Sequence, residues 1–112
     1  SVAFRSRSKG RTIEISPISH VRGRSFTDCF IIVDEAQNLT IHEIKTLVTR
    51  CGENTKMVLL GDTDQIDTPY LDKFSNGLTI AIERLKGAPI FGHIHLDKGE
   101  RSALATLGSR AL

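Results

Sequence analysis

The stretch Phe30-Ile31-Ile32-Val33-Asp34-Glu35-Ala36-Gln37-Asn38 is an unbroken run of β-prone apolar residues that ends abruptly in two adjacent carboxylates. Such a run describes a buried strand whose carboxyl end opens into a polar cleft. In open parallel α/β sheets that edge is where ligands sit. Two neighbouring carboxylates point in different directions, so one can hold Mg²⁺ while the other polarises a water for attack on a phosphoryl group, the logic of a Walker B motif. A buried strand that simply meets a solvated loop would have the same residues.

The grammar recurs at Leu59-Leu60-Gly61-Asp62-Thr63-Asp64-Gln65, a short apolar strand followed by Gly, an acid and an amide. Between the two strands, Thr40-x-x-Glu43 predicts a capping box, and Ile41, Ile44, Leu47, Val48 and Cys51 form one apolar helical face that Gly52 ends. A helix of that length is a crossover connection. It predicts parallel strands with Asp34 and Asp62 at the same sheet edge.

These residues carry a family resemblance. Asp34-Glu35-Ala36-Gln37 and Gly61-Asp62-x-x-Gln65 are similar to motifs II and III of superfamily one helicases. The fuller strings Val33 to Asn38 and Gly61-Asp62-x-x-Gln65-Ile66-Asp67 resemble the PhoH-like ATPases. Tyr70-Leu71, Ser75-Asn76-Gly77-Leu78 and Lys98-Gly99-Glu100-Arg101-Ser102-x-Leu104-Ala105 extend the match, which runs from about Ile13 to the C-terminus.

The resemblance implies an ATP and Mg²⁺ site in the parent protein: Asp34 as the Mg²⁺ carboxylate, Glu35 as catalytic base or water-orienting group, Gln65 as γ-phosphate sensor, with Asp62 supporting them. It implies Arg101 as a cation for transition-state charge, although an arginine at the first turn of a surface helix needs no function. It also implies RNA or another nucleic acid as a partner and a homo-oligomeric parent. No aromatic stacking platform in the sequence supports nucleic acid independently.

One component of such a site is missing. A phosphate cradle of the form G-x-x-x-x-G-K-[ST] does not occur in the 112 residues, and in the resembled family it lies upstream. The expectation is therefore the C-terminal part of a P-loop NTPase (RecA-like) core, inactive by itself. A fragment of a superfamily one helicase and a non-catalytic binding or assembly module that keeps the fold remain the alternatives.

Length suits one domain, with residues 1 to 10 read as an irregular N-terminal segment with little to bury and 11 to 112 as the partial NTPase domain. No apolar run approaches the ~20 residues of a membrane span, and no secretory leader is recognisable, so a cytoplasmic protein without membrane contact is expected. Cys29 and Cys51 have no C-x-x-C spacing and read as reduced thiols.

The net charge of +2 is unevenly placed, with Arg5, Arg7, Lys9, Arg11, Arg22 and Arg24 ahead of the first run of acids and Glu14 the only carboxylate among them. Arg22-Gly23-Arg24 suits either phosphate contact or a solvated turn. His42 lacks a second histidine at zinc-binding spacing, and reads as a surface residue.

Strands are expected at 12 to 15, 30 to 34, 57 to 61 and 91 to 96, the last alternating Ile94 and Leu96 against His93 and His95. That His-x-His pair reads as a partly exposed edge rather than a metal site. Helices are expected from Ser75-Asn76 to Lys86 and from Ser102 to Leu112, the latter buried through Leu104, Leu107 and Ala111. The order β-β-α-β-α-β-α predicts a three-layer α/β fold with a mainly parallel sheet.

Overall fold

The computed structural model describes residues 2–6, 12–21, 23–96 and 102–112. Strands β1 (Val2–Ser6), β2 (Glu14–Ser16), β3 (Cys29–Val33) and β4 (Lys56–Leu59) form one sheet in the order β2-β1-β3-β4. Helices α1 (Ile41–Thr49), α2 (Gly77–Leu85) and α3 (Ala103–Ala111) complete the architecture, with short 3-10 turns at Ile18–His20 and Ala36–Asn38.

The β3-α1-β4 unit follows from local chemistry. Thr40 accepts a hydrogen bond from the Glu43 N–H at 3.1 Å while the Glu43 carboxylate accepts from the Thr40 N–H at 3.1 Å, so the predicted capping box starts α1. Ile44 and Leu47 then face the core. The crossover delivers β4 parallel to β3, pairing Phe30 with Lys56 through to Val33 with Leu59. The ladder continues beyond the strands, with Leu60 N–H donating to Val33 C=O at 2.9 Å and Ala36 N–H to Leu60 C=O at 2.8 Å.

Residues 2–6 are not irregular. They form a strand at the middle of the sheet, antiparallel to β2 and β3. Val2 and Phe4, 0% and 4% exposed, belong to the same core as Ile31 and Val33. Two apolar positions among Ser, Arg and Ala are too short an alternation to stand out in the sequence, and the strand's stability comes from its neighbours. The remaining part of the segment, residues 1 and 7–10, lies outside the described residues.

Two further expectations about the sheet are corrected. It is mixed rather than mainly parallel, since among the described strands β1 pairs antiparallel with both β2 and β3 while β3–β4 is parallel. Nor are there three layers among the described residues. Val2, Phe4, Cys29, Ile31 and Val33 pack on one face against residues of α1 and α2. The other face carries Phe30 at 45%, Ile13 at 62% and Ile15 at 75% exposure. It forms an open groove of about 690 Å³ lined by Ala3, Arg5, Ile13, Phe30, Ile32 and Lys56.

The C-terminal part departs from its expectation as well. Residues 91–96 form no strand, and Ile94 and Leu96 are exposed, so alternation there found no sheet edge to pair with. Helix α3 forms where expected, with Ser102 accepting from the Ala105 N–H at 3.1 Å, but Leu104 and Leu107 are exposed rather than buried. Its amphipathic pattern made the helix without supplying a partner for its apolar side.

Helix α2 is placed by a close approach. Asn76 caps it by accepting from the Thr79 N–H at 2.9 Å and is itself fully buried. Gly77 donates its N–H to Leu39 C=O at 2.6 Å, and a Cβ there would lie 2.6 Å from the Thr40 carbonyl. Glycine alone allows that contact.

Phe4→Ala should cost about 3 kcal/mol, because it leaves a cavity beside Phe26 in the core. Leu104→Ala should stay within about 0.5 kcal/mol. Urea denaturation of the two variants measures both values.

Candidate functional site

The site lies just beyond the carboxyl ends of β3 and β4. Asp34 and Glu35 leave β3, Gly61 and Asp62 leave β4, and the parallel register with the continued ladder keeps the two exits side by side. The structure therefore brings Asp34, Glu35, Asp62 and Gln65 into one loop cluster. All four are exposed.

Glu35 sits in the left-handed region, φ 55° and ψ 39°, a conformation that costs a non-glycine residue on the order of 1–3 kcal/mol. Asp34 holds the turn, its Oδ1 accepting from the Glu35 N–H at 2.9 Å. The turn sends the chain at once into the 3-10 turn Ala36–Asn38, which buries Ala36 and Gln37.

Gln37 links the two loops. Its Nε2 donates to Glu35 Oε2 at 2.7 Å and to Gln65 C=O at 3.1 Å, while its Oε1 accepts from the Asp62 N–H at 3.1 Å. Asp62 in turn accepts from Gln65 Nε2 at 3.0 Å through Oδ2 and from the Asp64 N–H at 2.9 Å through Oδ1. Gly61 makes room for this, because a Cβ there would come within 2.7 Å of Gln37 Oε1 and of Leu78 Cδ2.

The loop after β4 is tied down further along. Asn38 Oδ1 accepts from the N–H groups of Asp67 at 2.7 Å and Thr68 at 3.2 Å, and Thr68 Oγ1 donates to Asn38 C=O at 2.8 Å. Lys73 pairs with Asp64 at 2.9 Å, with both side chains largely exposed. The hydrogen bond and charge of Lys73 hold the Asp64 carboxyl below its ordinary range.

Gln37, Asn38 and Gly61 stand within the quoted motifs but had no role from sequence alone. The available signal was an amide pair directly after the acids, with glycine at the end of the next strand. Arg101 and Arg22 lie outside the described residues. Arg24 is not a bare solvated arginine. Its guanidinium carbon lies 4.6 Å from the Phe4 ring centroid and 5.5 Å from that of Phe26, and it reaches Glu14 at 3.6 Å.

The thiols Cys29 and Cys51 are free, and burial together with the nearby Cys29 pushes the Cys51 thiol up, away from reactivity. Among the described residues no cluster of three or more His, Cys, Asp or Glu is arranged to hold a metal ion by itself.

The donor set nevertheless fits Mg²⁺ shared with a ligand. Asp34 and Glu35 offer hard carboxylate oxygens at an exposed edge, and Mg²⁺ is usually held by one or two carboxylates plus phosphates and water.

An α/β protein with two acid-bearing loops at the end of a parallel strand pair is the class these features define. Residues 2–106 match the family described as PhoH-like protein, and the chain belongs to that family. It is 56% identical over 101 residues to Protein PhoH2 of Bacillus subtilis, covering 90% of this chain and 23% of the relative. It is 44% identical over 86 residues to a PhoH-like protein of the same organism, covering 77% and 26%. Against Protein PhoH of Escherichia coli K12 the identity is 38% over 94 residues, covering 82% and 26%. The chain thus spans about a quarter of the length of these curated relatives. Among the described residues no helix is long and apolar enough to cross a membrane.

The turn before α2 should respond to acid. Asp72 Oδ1 accepts from the N–H groups of Phe74 at 2.8 Å and Ser75 at 2.7 Å, and these bonds hold its carboxyl below the ordinary value. The turn's stabilisation is present above the unfolded pKa and is lost as pH falls through the lower folded one. The Phe74 and Ser75 amide resonances should therefore titrate with a midpoint below about 3.9, the unperturbed aspartate value. Asp72→Asn should abolish that titration.

Proposed function

We propose that the chain contributes the hydrolytic edge of a PhoH-family ATPase, with Mg²⁺-ATP as substrate. The observation supporting this most is the shared exit of β3 and β4, which sets Asp34-Glu35 beside Asp62 and Gln65 with Gln37 between them. Family membership adds to it. In this reading Asp34 would hold Mg²⁺ together with the nucleotide, and the ion would supply charge neutralisation at the transferred phosphoryl group.

Glu35 orients the attacking water and takes its proton on the carboxylate oxygen that Gln37 leaves unbound. Gln65 meets the γ-phosphate, and Asp62 holds the Gln65 amide in place. Arg101 supplies positive charge late in the reaction. RNA or another nucleic acid is the proposed macromolecular partner, in a homo-oligomeric, cytoplasmic protein.

A binding or assembly role without turnover is the competing reading for the 112 residues alone, favoured by the absence of a G-x-x-x-x-G-K-[ST] stretch from them. Most triphosphate affinity in such sites comes from backbone N–H groups and the lysine of that stretch. The isolated 112 residues should therefore bind Mg²⁺-ATP weakly and release no phosphate. Calorimetric titration and a phosphate-release assay measure this directly, and steady hydrolysis would require a phosphate site built from other residues.

In the full-length protein, Glu35→Gln should lower turnover by ~10²- to 10⁴-fold and leave nucleotide binding nearly intact. Asp34→Asn should weaken Mg²⁺-nucleotide binding as well. Equal turnover of wild type and Glu35→Gln would dispose of the ATPase assignment of this edge.

A further inference from the structure

Gln37 is fully buried, yet none of its side-chain bonds serves the core. Both Nε2 hydrogens and Oε1 are engaged, and every partner belongs to the two exposed loops that carry the proposed site: Glu35 Oε2, the Gln65 carbonyl and the Asp62 N–H. An amide is the one neutral group that can do this, since it donates to a carboxylate and a carbonyl while accepting from an N–H.

The amide both anchors the two loops and sets their spacing. Asp62, Glu35 and Gln65 are exposed as residues, but the atoms of theirs that meet Gln37 are part-buried against a fully buried amide, so the three bonds tie both loops to one fixed point. What water cannot supply is a fixed distance between the Glu35 carboxylate and the Asp62–Gln65 loop.

We infer that Gln37 is a positioning residue that locks the Glu35 carboxylate to the Asp62–Gln65 loop, so that water activation and phosphate sensing act on one phosphoryl group in a single geometry. This rests on the ATPase reading above. The burial of the amide, with its bonds running outward to both loops, gives it an orientation that neither loop has alone. The left-handed backbone at Glu35 fits the same role, because it turns the Glu35 carboxylate back toward Gln37 over a span of two residues. Gly61 fits it too, since any Cβ there would displace Oε1.

Two variants in the full-length protein separate positioning from packing. Gln37→Met removes the donor and the acceptor. Gln37→Glu keeps an acceptor for the Asp62 N–H but loses the donor, and sets a like charge beside Glu35 Oε2.

The expected result is a fall in kcat of ~10²-fold in both variants, the scale of an ångström-sized misplacement, with the KM for ATP within about threefold of wild type. Amide hydrogen exchange at Asp62 should accelerate in Gln37→Met and stay close to wild type in Gln37→Glu. Gln37→Met should stay folded, with a lower melting midpoint from the unpaired Asp62 N–H and Gln65 carbonyl. Wild-type kcat in either variant, a loss expressed in KM alone, or unchanged Asp62 exchange in Gln37→Met would overturn the positioning role. A folded wild-type protein that hydrolyses no ATP would instead overturn the ATPase reading, and the catalytic role of Gln37 with it.

Discussion

The parallel pairing of β3 with β4 is the constraint on which the rest of this structure depends. It is imposed by α1, whose capping box and apolar face fix where the crossover begins and which side it packs on. Because the backbone ladder runs past the strands through Leu60, Val33 and Ala36, the two exiting loops cannot drift apart. Register is therefore transmitted from the core to the acids. A slip of one residue would turn Ile31 and Val33 out of the core, so the hydrophobic pattern of β3 also holds the position of Asp34.

The candidate site combines this rigid base with a locally costly turn. Glu35 occupies a left-handed backbone conformation, which its neighbours must hold in place: the Asp34 carboxylate on its N–H and the Gln37 amide on its side chain. Asn38 performs the corresponding task farther along, its side chain collecting the N–H groups of Asp67 and Thr68. Consecutive residues Gln37 and Asn38 thus anchor the long loop after β4 at two points. That explains how a loop with little regular structure keeps Asp62 and Gln65 in defined positions.

Much of this was legible in the sequence because the signals were local. The β3 run, the Thr40–Glu43 box and the Asn76 cap each depend on residues within a few positions of one another, and each appears where expected. What was not legible depended on partners distant in the chain. Val2 and Phe4 look unremarkable until β3 lies beside them, and Gln37 needs the second loop, 25 to 28 residues away, before its amide has a use. The errors at 91–96 and α3 are the converse. There, alternating or amphipathic patterns were present without any surface among the described residues to receive them.

The exposed edge holds Asp34, Glu35, Asp62, Asp64 and Asp67 within two loops, and Lys73, on the same stretch, pairs with Asp64. Arg24, well placed in sequence to meet an anion, stacks instead on Phe4 and Phe26 and pairs with Glu14. A polyanion approaching this edge meets like charge, so in the proposed ATPase positive charge would have to stand between the carboxylates and the phosphates. In the proposed ATPase, the part of this local geometry would be to orient water and sense the bound phosphate. Attraction would then come from a divalent cation and from cationic or N–H groups other than those of the two loops. On that proposal orientation and attraction are separate jobs, and the hydrogen-bonded loops described above suit the first.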